Sequence, residues 1–160
     1  TDITYIKLLN GFMYLSAIID VFSRRILAWR LSNTLDTQFC IETLKEALKS
    51  GTPDILNTDQ GCQYTSMAWI NMVEQNGIKV SMDGQGRWAD NIYIERFWRT
   101  LKHSYVLLHD FESVTAAKSS IGGYIEKYNN VRLHQNLNYK TPDKVYFAGL
   151  DSNSNLGAAA

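Results

Sequence analysis

The chain has 160 residues but only two prolines and two cysteines, and its formal net charge is zero. Few prolines and ten glycines exclude a collagen-like or low-complexity chain. Cys40 and Cys62 lack the close spacing of a metal-binding pair, so we expect reduced thiols in a cytoplasmic protein. No apolar run approaches the roughly 18 residues that a membrane-spanning helix needs.

The zero net charge differs from the strongly basic composition of a typical DNA-binding domain. It does not exclude nucleic acid as a partner, because an acidic metal site lowers the net charge and bound cations reverse its local sign. Hydrophobic residues make up 45% of the chain and aromatic residues 12%, which supplies a core for one domain of this length.

Apolar periodicity predicts a sheet followed by alternating elements. Three strands in an antiparallel meander are predicted at 3–9, 12–20 and 24–32, with Asn10-Gly11 as the first turn. Alternating helices and strands follow at 37–50, 53–59, 66–76 and 78–82, and this strand-helix-strand unit favours parallel pairing. A loop at 83–89 then precedes helices at 91–105, at 113–129 and from 141 onward. The predicted N-caps of the first, second and fourth helices are Asp36 or Thr37, Ser66 and Ser113. An apolar stripe is predicted on the third helix at Ile94, Trp98, Leu101 and Tyr105. We expect a disordered tail at 151–160.

Three carboxylates carry most of the functional information. Asp2 opens the first strand, Asp59 ends an apolar strand, and Glu95 lies in a helix, with 35 residues between Asp59 and Glu95. Two strand aspartates and a helix glutamate can hold a pair of hard divalent cations, which promote phosphoryl transfer on nucleic acid. Taken singly, each has a simpler interpretation, as a turn or capping aspartate or as a glutamate paired with Arg99. Asp20 is a fourth strand carboxylate, which we interpret as a turn residue.

Five ordered segments resemble the integrase-core region of DDE transposases of the insertion-sequence 3 family. They lie at 1–5, 20–25, 58–66, 90–102 and 128–142, and the last contains Tyr128-Asn129, Arg132, His134, Leu137 and Thr141-Pro142. The resemblance spans roughly residues 1–147, in the order and spacing of the family. The pattern usually places several residues before the first aspartate, so the chain resembles a catalytic-domain fragment.

The resemblance implies an α/β, ribonuclease-H-like fold with a five-stranded mixed sheet, three antiparallel strands then two parallel ones, flanked by helices. It implies an integrase catalytic core at 1–150, truncated at the start of its first strand. Asp2, Asp59 and Glu95 are then catalytic ligands of two Mg²⁺ or Mn²⁺ ions, one held by Asp2 with Asp59 and the other by Asp2 with Glu95. The implied reaction is cleavage at the 3′ ends of a transposon followed by strand transfer to target DNA. The implied working complex is a homo-oligomer in the bacterial cytoplasm, associated with the nucleoid when active.

Nine further residues are candidate DNA contacts, namely Gln63, Tyr64, Arg87, Trp88, Asn91, Arg99, Lys102, Arg132 and His134. Gln63 and Tyr64 follow the end of a strand, where ligand groups often collect, with packing as the alternative. Trp88 lies beside Arg87 in a glycine-containing loop and either stacks on a base or anchors the core.

The remaining candidates lie on or after the predicted helices. Arg99 and Lys102 share a helix side with Glu95, and they either contact DNA phosphates or form a solvated face. Arg132 and His134 follow the second long helix and serve either DNA binding or folding.

Two rival functions stay open. A ribonuclease-H-type nuclease shares the metal chemistry, although the segment at 128–142 favours a transposase. A non-catalytic remnant would bind DNA or a transposase partner without cutting. Truncation of the first strand favours the remnant, and the intact set of three carboxylates disfavours it.

Overall fold

A three-stranded antiparallel sheet forms the first half of the fold. The computed structural model of the chain describes residues 1–82 and 91–157, with side chains through Asp151. Strands β1 (Asp2–Leu8), β2 (Gly11–Ile19) and β3 (Ile26–Ser32) pair in the order β1-β2-β3, which confirms the predicted meander. Leu8 pairs with Gly11, so the first turn lies one residue earlier than predicted. Gly11 has a φ of 111°, a conformation that favours glycine.

The second sheet contains two parallel strands. β4 (Ile55–Thr58) and β5 (Lys79–Met82) pair from Ile55 opposite Lys79 to Thr58 opposite Met82. The helix at Met67–Gln75 connects them, which confirms the predicted strand-helix-strand unit.

The predicted single sheet of five strands is not matched, because the described strands form one sheet of three and another of two. The sheets meet where the Thr1 ammonium donates a hydrogen bond to the Asn57 carbonyl oxygen at 2.8 Å. One such bond brings β1 and β4 side by side without forming the repeated ladder that defines a sheet.

Five α-helices and three short 3₁₀ helices complete the described part of the fold, and three of the α-helices begin at predicted capping residues. The α-helices are α1 (Thr37–Ala47), α2 (Met67–Gln75), α3 (Ile92–Ser104), α4 (Val114–Asn130) and α5 (Pro142–Gly157). The side chains of Asp36, Ser66 and Ser113 accept hydrogen bonds from the backbone N–H three residues on, at the starts of α1, α2 and α4.

Helix α5 extends into the segment that was expected to be a disordered tail. It continues to Gly157, so residues 151–157 are helical, since no proline follows Pro142 to interrupt the helix. Residues 158–160 and the predicted loop at 83–89 lie outside the described residues.

Two apolar clusters cover the two faces of the antiparallel sheet. Leu15 and Ala17 of β2 face a cluster with α3 and α4, whereas Ile18 faces a cluster with α1 and α2. The predicted apolar stripe of α3 is buried at Ile94, Trp98 and Leu101, so α3 is fixed against the sheet. Within the described ranges, no helix combines the length and the apolar character that crossing a membrane requires.

Candidate active site

Asp2 is held at the start of β1 by a bond from α3. Its Oδ2 accepts a hydrogen bond of 2.8 Å from Nε1 of Trp98, whose ring is buried among core residues. Burial raises the pKa of Asp2, hydrogen bonds from Ile3 and Trp98 oppose the rise, and the charge of Asp59 adds to it. The net effect is a raised pKa, so the site disfavours the negative charge of Asp2.

Asp59 follows β4 and lies near Asp2. Its Oδ1 accepts a hydrogen bond of 2.9 Å from the Gly61 backbone N–H. A Cβ at position 61 would lie 3.0 Å from this oxygen, so glycine allows the loop to close on the carboxylate. The charge of Asp59 contributes to the raised pKa of Asp2, so the two carboxylates lie within electrostatic range of each other.

The Asp2–Asp59 pair has the chemistry of a cation site. Among the residues that the structure describes, neither carboxylate forms a salt bridge with a basic side chain. Two half-buried carboxylates that repel each other are stabilised by a divalent cation, because Mg²⁺ and Mn²⁺ prefer oxygen ligands. The two residues therefore fit such an ion.

Glu95 does not converge with the aspartates. It is exposed on α3, and the described residues contain no cluster of three acidic, histidine or cysteine side chains able to hold a metal. In an α-helix, position 95 lies about 60° around the axis from Trp98 and nearly one turn earlier. Glu95 therefore borders the side of α3 that contacts Asp2. It does not form the simple ion pair with Arg99 that was its alternative interpretation.

Tyr64 and Gln63 are packed inside the protein. Tyr64 is 1% exposed, its hydroxyl lies 3.4 Å from Thr1 Oγ1, and its ring meets that of Trp69 edge-on. Burial raises the pKa of Tyr64 well above its usual value, and the charges of Asp2 and Asp59 raise it further. Gln63 Nε2 donates to the Leu35 carbonyl at 3.3 Å. Both residues are buried and packed against neighbouring residues, as in the packing alternative, so neither lies on an accessible surface.

The other candidate DNA contacts differ in exposure. Arg99 is exposed and Lys102 half-buried, on the side of α3 that carries Glu95. Asn91 is buried at the start of α3 and its side chain makes no capping bond. Arg87 and Trp88 lie outside the described residues.

Arg132 and His134 lie in a different place from the carboxylates. With Arg24, Arg96 and Tyr128 they line a cavity of about 230 Å³ next to α3. The structure therefore divides the sequence candidates between two sites, with Asp2 and Asp59 in one and Arg132 and His134 in the other.

Two residues that matter for this architecture were missed by sequence reasoning. Trp98 positions Asp2, and the available signal was that a buried indole N–H needs an acceptor. Asn129 accepts from the Ile26 N–H at 2.9 Å and donates to the Ile26 carbonyl at 3.0 Å, which joins α4 to the edge of β3. Asn129 was part of a recognised segment, but its partner is 103 residues away.

Comparison with known proteins gives consistent matches. Two family models, both described as integrase core domain, match residues 1–87 and 76–142. A transposase for insertion sequence element IS904 from Lactococcus lactis subsp. lactis is 37% identical over 145 residues, covering 88% of this chain and 57% of that protein. A putative transposase InsK for insertion sequence element IS150 from Escherichia coli K12 is 32% identical, covering 89% of this chain and 51% of that protein.

The chain therefore spans about half the length of the curated relatives it matches. Among solved structures, the HTLV-2 integrase catalytic core domain in complex with magnesium superposes with a TM-score of 0.71. That match covers 91% of each chain at 19% identity. At this identity the likeness shows a shared fold, with a sheet and flanking helices arranged as in an integrase catalytic core.

Proposed function

The chain belongs to the integrase core family, and we propose that it is the catalytic core of a DDE transposase. In this proposal it cleaves DNA at the 3′ ends of a mobile element and joins those ends to target DNA. The observation that carries the proposal is the half-buried Asp2–Asp59 pair, which is tied to α3 through Trp98. The transposase names of the bacterial relatives support it.

We assign metal binding to Asp2, Asp59 and Glu95, with two Mg²⁺ or Mn²⁺ ions in the active complex. Glu95 lies apart from the aspartates in the described structure, so this assignment requires Glu95 to approach them in that complex. Divalent cations bound at such a site lower the pKa of an attacking water or hydroxyl and stabilise the leaving oxygen. The chain's own contribution is orientation, because Trp98 Nε1 fixes Asp2 and the Gly61 N–H fixes Asp59. The magnesium complex of the HTLV-2 core supports the choice of cation.

The proposed chemistry has two steps at one site. Water attacks a phosphorus atom at the element's end, and the bond to the 3′ oxygen breaks, which leaves a 3′-hydroxyl and a 5′-phosphate. That 3′-hydroxyl then attacks a phosphodiester of the target and displaces the target's own 3′ oxygen. No covalent bond to the protein forms, because water and the DNA hydroxyl are the nucleophiles.

The wider organisation of the enzyme is part of the same proposal. Residues 1–150 form the catalytic core, which works as a homo-oligomer on DNA in the bacterial cytoplasm. Arg99 and Lys102 contact the DNA backbone beside Glu95, since they share its side of α3. In the working complex β1 and β4 belong to one five-stranded sheet, a view supported by the bond from Thr1 to Asn57.

A plasmid-nicking assay tests the function. We expect this chain to nick supercoiled DNA when Mn²⁺ is added and to leave 3′-hydroxyl ends that a polymerase can extend. Glu95→Gln should reduce nicking by about 100-fold or more. The matched control, Glu126→Gln, removes an exposed helical glutamate of α4 and should retain nicking.

Each rival function has its own outcome in this assay. Cleavage of an RNA–DNA hybrid in preference to duplex DNA would establish the nuclease. DNA binding that Glu95→Gln leaves unchanged, with no nicking by the unmodified chain, would establish the non-catalytic remnant.

A further inference from the structure

A cavity beside α3 is lined by basic and aromatic side chains. We call the cluster of Arg24, Arg96, Arg132 and His134 the arginine pocket; the cavity that it lines holds about 230 Å³. The charged residues that line it within the described ranges are all basic. In a chain with zero net charge, this is a local concentration of positive charge.

Arg24 enters the pocket from a tight turn. Its φ is 67°, a left-handed conformation that a non-glycine residue rarely adopts. The turn is closed by the Arg24 N–H, which donates to the Asp20 carbonyl at 2.8 Å, and by the Ser23 N–H, which donates to Asp20 Oδ2 at 2.8 Å. This confirms Asp20 as a turn residue. The Arg24 guanidinium lies 3.4 Å from the centre of the Tyr93 ring, so the turn directs a rigid cation into the pocket.

Among the described residues, two buried nitrogen atoms of the pocket have no hydrogen-bond partner. They are Nη1 of Arg24 and Nε2 of His134. The His134 ring packs edge-on against Tyr128 at 4.9 Å, and its backbone N–H donates to Lys140, so the ring is held in place. Buried polar atoms in native proteins are nearly always hydrogen-bonded. Nη1 of Arg24 can only donate, so it calls for an acceptor from outside the described residues. A ring N–H of His134 bonds the Tyr128 backbone, so Nε2 becomes a donor only when the ring is protonated, a state that a bound anion favours.

The charges of the pocket are not neutralised within the part of the chain that the structure describes. Arg24, Arg96 and Arg132 form none of the ion pairs there, and Arg132 has only a long bond of 3.5 Å to the Tyr124 hydroxyl. Burial lowers the pKa of His134, and the charges of Arg132 and Arg24 lower it further. Among residues 1–82 and 91–151, no negative charge offsets the arginines of the pocket.

The arginine pocket is separate from the carboxylates. Tyr93, Arg96 and Thr100 line it from α3. At 100° per residue this face lies roughly 150° around the helix from Glu95 and Trp98. A group bound in the pocket would not touch the Asp2–Asp59 site, and one helix would position both sites.

We propose that the arginine pocket binds one phosphate group of a DNA strand, as an anchor distinct from the carboxylate site. A phosphate offers several oxygen acceptors around one centre, which suits converging guanidinium groups better than a planar carboxylate does. That the phosphate comes from DNA rests on the proposed function, whereas binding of a phosphate anion rests on the pocket alone.

The first test uses inorganic phosphate as the probe. NMR of the ¹⁵N-labelled chain would follow the His134 ring and the arginine Nε signals during titration at constant ionic strength, with chloride as the reference anion. We expect saturable shifts of the His134 signal that Arg132→Gln abolishes and Lys118→Gln retains, since Lys118 is exposed on α4 outside the pocket. Absence of a saturable shift, or the same shift in Arg132→Gln, would overturn the pocket.

The second test asks whether the phosphate belongs to DNA. Affinity for a duplex is measured against salt concentration in EDTA, so that no cleavage occurs. Arg96→Gln and Arg132→Gln should each weaken binding roughly three- to tenfold and lower the slope of log affinity against log salt by about one. The double variant should lower the slope no further, because both arginines serve one phosphate. The control Lys118→Gln should change neither affinity nor slope.

The outcomes separate this proposal from the proposed function. A slope that falls by about two in the double variant would mean two independent phosphate contacts and would overturn the single pocket. Unchanged DNA binding in both single variants, together with a normal phosphate shift, would overturn DNA as the source. Failure of the unmodified chain to bind or nick DNA would defeat the proposed function, while the phosphate titration would still decide the pocket.

Discussion

The Asp2–Asp59 pair and the arginine pocket are opposite in charge but alike in physical state. In the acidic site, burial raises the pKa of Asp2 and the charge of Asp59 adds to the rise. In the basic site, burial lowers the pKa of His134 and the charges of Arg132 and Arg24 add to the fall. In both places the protein disfavours a further charge of the kind already present, which is the state expected of a site built for a ligand of opposite sign.

The comparison also shows how a chain of zero net charge can be suited to a polyanion. Helix α3 contributes to both sites, with Trp98 bound to Asp2 on one side and Arg96 lining the pocket on the other. Net charge averages these regions, whereas a ligand meets each one separately. In the proposed enzyme, cations at the carboxylates and a DNA phosphate in the pocket supply the missing charges.

Asp59→Asn should have the largest effect, and it acts on the acidic site. The variant removes one charge of the pair, and we expect DNA nicking to fall by about 1,000-fold. Neutralising Arg132 should instead weaken DNA binding and leave nicking at saturating DNA nearly unchanged. Asp54→Asn, an exposed aspartate just before β4, is the control and should retain nicking. Retained nicking in Asp59→Asn would remove this carboxylate from the mechanism.

Asn129→Ala should remove the hydrogen bonds that support the strand next to the arginine pocket. Its amide bonds both the N–H and the carbonyl of Ile26 on the edge strand β3, just after Arg24 and Arg25. Truncation leaves two buried backbone groups unpaired, so we expect the free energy of unfolding to fall by about 2–4 kcal/mol. Urea denaturation measures this loss. The control Asn130→Ala alters the exposed neighbouring residue and should change stability by less than about 0.5 kcal/mol. Equal losses in the two variants would contradict a role for the Asn129–Ile26 hydrogen bonds.

Local rules predicted much of the framework that carries both sites. Asp36, Ser66 and Ser113 cap their helices as expected, because a cap depends on residues three positions apart. The meander and the parallel unit followed from short-range periodicity and connection length. These features are fixed by neighbours in sequence, so a single sequence contains the necessary signal.

The candidate sites were harder to predict, because they depend on contacts between residues that are far apart in the sequence. Trp98 and Asp2 are 96 residues apart, and nothing near either residue identifies its partner. Tyr64 follows a strand end in a turn that is as consistent with exposure as with the observed burial. Arg24 and Arg96 attracted no functional interpretation, because each is an ordinary arginine until the fold brings them together with His134.

Trp98→Phe should test the orientation of Asp2, because it removes a hydrogen bond to the carboxylate without removing a charge. Phenylalanine keeps most of the aromatic packing but loses the 2.8 Å bond to Asp2 Oδ2. We expect nicking to fall about tenfold, the usual scale for a group that orients a metal ligand. Trp69→Phe is the matched control, because Trp69 is fully buried and its Nε1 has no hydrogen-bond partner among the described residues. An equal effect in both variants would mean that packing, and not the bond to Asp2, accounts for the loss.

The smallest expected effects are opposite dependences of stability on pH at the two sites. The pKa of Asp2 is raised in the folded state, so the folded protein binds more protons than the unfolded chain above the ordinary aspartate value of 3.8. In EDTA, the stability that Asp2 contributes is therefore lost as pH rises through its folded pKa, and Asp2→Asn should gain thermal stability relative to the unmodified chain.

His134 has the reverse sign, because its lowered pKa costs stability as pH falls below the ordinary value of 6.5. As pH falls from 7 to 5, the stability of His134→Asn should therefore rise relative to that of the unmodified chain. Melting curves across pH 3–8 measure both trends, and Mn²⁺ should reduce the advantage of Asp2→Asn because the ion stabilises only a charged pair. Parallel pH trends in the two variants would show that the sites do not carry opposite uncompensated charges.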